Sequence, residues 1–128
     1  MEKIPSIRMM MMPRDTNARG TIFGGHILSL IDQAGAIAVH AAGIGKVVTV
    51  AIREVIFKHP VYVGDIVSCY AEIVGRGRTS VTVKVQVIAQ HPQRLTEEEV
   101  TTAELVFVHV DDSMRPVPLS PEPPAVAP

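Results

Sequence analysis

The 128-residue chain has no tryptophan, one cysteine and only 4% aromatic residues. Its core must therefore be packed from Val, Ile, Leu, Ala and Met, which a 47% hydrophobic composition supplies. With Cys69 alone there can be no intrachain disulfide framework, which suits a reducing compartment. Neither charge sign dominates: 12 Lys and Arg against 13 Asp and Glu give a formal net charge of -1. No global field would gather nucleic acid, so an anionic ligand must be held by a few local cations. The longest apolar stretch, Ala34 to Val39, is far too short to span a bilayer. The start, "MEKIPSIRMMMMPRD", lacks the apolar segment of a secretory signal. A cytoplasmic protein with no membrane or nucleic-acid partner is the expectation, and its length fits one domain.

Punctuation divides the chain into one long helix and about five strands. The expected strands are Ile4 to Met12, Lys46 to Phe57, Asp65 to Val74, Thr79 to Gln90 and Glu99 to Val110. A loop from Pro13 to Ile22 precedes a helix over about Phe23 to Ala42. The fourth strand alternates cleanly, with Val81, Val83, Val85 and Val87 on one face and Thr82, Lys84 and Gln86 on the other. That is the period of a half-buried antiparallel strand. "GRGRTS" reads as a short hairpin connection and "HPQRLTEEE" as a longer, solvated one. Residues 1–111 form the expected single domain, and the proline-rich 112–128 a flexible tail.

Projected at 100° per residue, the apolar side chains of the helix cover more than half its circumference, with His26, Ser29, Gln33 and His40 on a narrow polar stripe. Such a helix must be wrapped, and a curled antiparallel sheet is the economical wrapping. Asp32 sits on the border between the two arcs. It is either a boundary acid bonded to a neighbouring segment, or a partly dry carboxylate with a raised pKa that acts as base or nucleophile. Gly24 and Gly25 open the helix, where free backbone N–H groups and the helix dipole could hold a developing oxyanion. Tight packing would equally explain them. Asn17 lies in a polar loop where turn-building is its ordinary role.

Four separated motifs occur in order: N-x-x-G-x-x-F-G-G, the helix acid, F-x-x-P-x-x-x-G-D and G-R-T-S. From about Met10 to Asp111 the chain resembles the hotdog-fold acyl-CoA thioesterases, specifically the small YciA-like bacterial group. The resemblance implies an α+β hotdog fold, an antiparallel sheet of about five strands around one long central helix. It implies hydrolysis of acyl-CoA to a free acid and CoA at the interface of an obligate homodimer, with trimers of dimers as a further assembly. Asp32 matches the family's catalytic carboxylate and Asn17 a partner supplied by the other subunit. Gly24 and Gly25 match the amides that face the thioester oxygen. Gly77 to Ser80, with Arg78, Thr79 and Ser80, matches a CoA-contacting hairpin.

Thiolate departs readily, so such a site mainly needs activated water or a nucleophile and a stabilised oxyanion. No cofactor or metal is required, and the five histidines lack ligand spacing. The CoA phosphates call for cations: Arg78 first, then Arg76, Lys58 and His59. Met9 to Met12 reads as a buried strand rather than an acyl tunnel, and Cys69 as a small core residue. The competing reading is a non-catalytic acyl-CoA-binding regulatory domain, which would have no use for a half-buried acid beside an oxyanion hole.

Overall fold

A computed structural model describes residues 3–119. One helix, α1 (Gly24–Ala41), lies against an antiparallel five-stranded sheet of order β1-β3-β4-β5-β2. The strands are β1 (Ile7–Met10), β2 (Val47–Phe57), β3 (Ile66–Arg76), β4 (Ser80–His91) and β5 (Thr96–His109). The expected fold class is observed, and the expected boundaries hold to within a few residues, with β1 the most shortened.

The valine ladder of β4 works as its alternation predicts. Val81, Val83, Val85 and Val87 are fully buried under the helix; each buried valine contributes about 1.5–3 kcal/mol relative to exposure. From α1, Ile27, Leu30, Ile31, Ala34, Gly35 and Val39 face the sheet. Gly35 marks the closest approach: a Cβ there would lie 3.0 Å from two ring carbons of the buried Phe107. The helix ends where Gly43 adopts φ +84°, with Gly43 N–H bonded to the His40 carbonyl and Ile44 N–H to Val39. This paired closure needs a left-handed residue, and the buried Ile44 completes it.

Three expectations are corrected. The methionine run is not a buried strand: Met11 alone is buried, while Met9, Met10 and Met12 are exposed, because β1 lies at an edge of the sheet. The β4–β5 connection is tighter than "HPQRLTEEE" suggested, since Gln90 pairs with Glu97 and only residues 92–95 remain outside the strands. The chain beyond Asp111 does not trail free at first. Asp111 nucleates a turn by accepting the Ser113 and Arg115 N–H groups, and residues 116–119 fold back on the end of β5. The rest of the expected tail, 120–128, lies outside the described residues.

The other edge strand, β2, is irregular. Its pairing with β5 slips between Thr49 and Ala51 and again between Arg53 and Ile56, where Glu54 takes φ 55°. Val50, Ile52, Ile56 and Phe57 are exposed along it.

Candidate active site

The loop before α1 is built by side chains that stand in for backbone partners. A short 3-10 turn (Pro13–Asp15) is closed by Met12 N–H donating to Asp15 Oδ2 at 3.1 Å. Asn17 Oδ1 accepts the N–H groups of Arg19 (2.8 Å) and Thr21 (3.2 Å), and its Nδ2 donates to Thr21 Oγ1 at 2.8 Å. Within one chain Asn17 is thus a turn-builder. The loop is anchored by Ile22 N–H to the Val61 carbonyl and Phe23 N–H to the Asp15 carbonyl.

This anchoring delivers the start of α1 with Phe23 as its capping residue, whose side chain supplies no acceptor. The first-turn N–H groups of Gly24 and Gly25 keep the partial positive charge of a helix start. The two glycines differ in surroundings. A Cβ on Gly24 would come within 3.3 Å of Phe57, whereas Gly25 faces open space. Gly24, Ile27, Phe57, Val61 and the buried Thr101 line a cleft of about 280 Å³ beside the helix start.

Asp32 is half-buried on α1, and Thr49 Oγ1 of β2 donates to its Oδ1 at 2.6 Å. Thr49 was missed in the sequence; the signal was a lone hydroxyl within "VVTV", the strand segment that crosses the helix border. Also missed was Asp15 Oδ2, 3.6 Å from His26 Nε2 in the first helical turn. Asp32 and Asn17 share no hydrogen bond among the described residues. Asp32 lies seven residues beyond Gly25, about 10 Å along the axis at 1.5 Å per residue.

The candidate CoA cations divide into two groups. Lys58 pairs with Glu99, which also accepts from Gln86, and the Lys58 bond first and the Gln86 bond second hold the Glu99 carboxyl below its ordinary pKa. His59 Nδ1 sits 3.1 Å from Glu98. Arg76 and Arg78 are exposed at the β3–β4 hairpin and have no carboxylate partner among the described residues. The hairpin itself is firmly bonded: Gly77 N–H to the Ser80 carbonyl, and His109 N–H to the Thr79 carbonyl. Cys69 is buried on β3, its thiol pushed up to about 12 by desolvation, and is chemically inert.

A long helix on a curled antiparallel sheet, with an acid in mid-helix and uncapped amides at its start, defines the hotdog thioesterase class. A family model described as the thioesterase superfamily matches residues 19–96. The chain is 42% identical over 119 residues to the acyl-CoA thioester hydrolase YciA of Salmonella typhimurium, covering 88% of this chain and 87% of that one. A hexameric hotdog-fold thioesterase of Campylobacter jejuni superimposes with a TM-score of 0.84 at 42% identity, over 91% of this chain and 90% of that one. An acyl-CoA hydrolase from Staphylococcus aureus, solved with butyryl-CoA and CoA, gives 0.79 at 32% identity, over 88% and 69%. The chain belongs to the thioesterase superfamily. Among the described residues no helix is long and apolar enough to cross a membrane.

Proposed function

We propose that this protein hydrolyses acyl-CoA thioesters to a free acid and CoA, with Asp32 as general base on water or as nucleophile. The observation that carries this is a half-buried carboxylate held by Thr49 on the same helix whose opening amides lack a cap. Its relatives in Salmonella and Staphylococcus, named as acyl-CoA hydrolases, support the substrate class.

The Gly25 amide and Asp32 lie about 10 Å apart along the helix axis, which supports a site shared between two chains. An oxyanion donor and a base must each come within about 3 Å of the reacting carbonyl or its water. That separation favours a site whose two parts come from different helices. In this reading Asp32 of one chain works with Asn17, Gly24 and Gly25 of a second, and the homodimer is the smallest active unit. The apolar residues exposed on β2, the edge strand that also carries Thr49, fit a surface covered by another copy. The hexamer of the Campylobacter relative supports a trimer of such dimers. Arg78 of the hairpin contacts CoA phosphate, with Arg76 beside it; Lys58 and His59 reach a ligand only by giving up Glu99 and Glu98, a small cost for exposed pairs.

The decisive measurement is free-thiol release from acetyl-, butyryl-, octanoyl- and palmitoyl-CoA by wild type and Asp32→Asn. Wild type should turn over, and the folded variant should lose at least ~100-fold in kcat, the contribution expected of a positioned base. Binding of CoA without turnover in wild type would instead support the regulatory-domain reading. Because Cys69 is buried with a raised pKa, the thiol signal comes from released CoA.

A further inference from the structure

We propose that residues 116–119 are a strap that positions the CoA-contacting hairpin, so that affinity for the nucleotide end of the substrate is set by a segment outside the five-stranded sheet. This rests on the reading that Arg78 contacts CoA.

The strap begins at the Asp111 turn. Asp111 N–H bonds to the Arg115 carbonyl, Met114 takes φ 65°, and Val110 then pairs with Pro116. Val117 N–H donates to the His109 carbonyl at 2.9 Å, and the His109 ring Nδ1 lies 3.0 Å from the Pro118 carbonyl. The last link is Leu119 N–H to the carbonyl of Arg78 itself, at 2.9 Å. The Leu119 side chain packs against the core, which fixes the strap's own end.

The hairpin is thereby held at two successive carbonyls. Thr79 is tied to the end of β5 through His109 N–H, and Arg78 to the strap through Leu119 N–H. His109 serves both sides: its N–H holds the hairpin, while its carbonyl and ring hold the strap. The three-residue connection, Gly77 to Thr79, is closed by a single backbone bond of its own, Gly77 N–H to the Ser80 carbonyl, and an exposed Arg on a loosely held turn gains little from a phosphate. Fixing the Arg78 carbonyl removes backbone freedom before the ligand arrives, so less is lost on binding. The strap residues touch no reacting atom in this scheme; they are positioning residues.

Steady-state kinetics on the full chain test this with one acyl group carried on CoA and on N-acetylcysteamine, which lacks the nucleotide. Leu119→Pro deletes the N–H that holds Arg78, whereas Leu119→Ala keeps it and trims only the side chain. His109→Ala, which removes the ring contact to Pro118, is the second route should the proline variant not fold. Leu119→Pro should raise KM for acyl-CoA about tenfold with kcat unchanged, the scale of one lost preorganised hydrogen bond to a charged group. KM for the short thioester should not move; Leu119→Ala, which keeps the N–H but loosens the strap's packing, and His109→Ala should each raise KM for acyl-CoA by less than Leu119→Pro does. Equal loss on both thioesters would mean a merely structural role and overturn the proposal. An unchanged KM in Leu119→Pro, with Arg78→Ala still raising it, would overturn the strap and leave the CoA reading standing. An Arg78→Ala enzyme with unaltered KM would remove both.

Discussion

Individual residues differ in how openly they declare themselves. Asp32 is conspicuous because a carboxylate in an apolar helix needs a reason, and its place on the border of the two arcs is what the structure shows. Its partner Thr49 is 17 residues away in sequence and nothing local to either announces the bond. Asn17 shows the reverse: every contact it makes in one chain is a turn contact, so its proposed role comes from family resemblance and not from its surroundings. Among the described residues, Glu54 is the one inside a strand that takes a positive φ, 55°. A non-glycine side chain there costs about 1–2 kcal/mol, while glycine brings its own entropic penalty of about 0.5–1 kcal/mol. Glu54→Gly should therefore stabilise the protein by about 0.5–1 kcal/mol, seen as a Tm a few degrees higher at matched protein concentration. A lower Tm would show that the Glu54 side chain contributes more than its backbone costs.

At the level of elements, periodicity carried most of the fold. The valines of β4 and the apolar arc of α1 were readable because each repeats over many residues with the right period. What escaped was pairing that depends on distant partners: the short β1, the tight β4–β5 turn and the return of 111–119. The proline-rich composition of that last segment hid two donors, the N–H groups of Val117 and Leu119, that bond to the domain. The packing of α1 on the sheet offers a direct test. Gly35→Ala gains about 1 kcal/mol of helix propensity. Against that, its Cβ would sit 3.0 Å from the Phe107 ring, itself fully enclosed. Overpacking of this kind costs about 1–3 kcal/mol, so the net effect should be destabilisation, read as a lower urea midpoint with unchanged m. Combining it with Phe107→Leu should recover part of the loss. If Gly35→Ala alone stabilises, the helix has room to move off the sheet.

At the scale of the whole molecule, the proposed scheme gives one chain every part of the site yet needs a second chain to assemble it. The opening amides and the acid share a rigid rod, and its length keeps them apart. The outer edge of β2, exposed and apolar beside Thr49, is where a second copy would bring its own set. On the proposed scheme a chain with Asp32→Asn and a chain with Asn17→Ala should each be inactive alone, because both sites of each homodimer would be broken. Mixed and reassembled in equal amounts, half of the dimers are hybrids, and each hybrid holds one site with both lesions and one with none. Activity should return to about a quarter of wild type, as two-fold symmetry requires. A mixture that stays silent would place the two residues in the same half-site. Two dead alleles of this gene, expressed in one cell, would rescue each other.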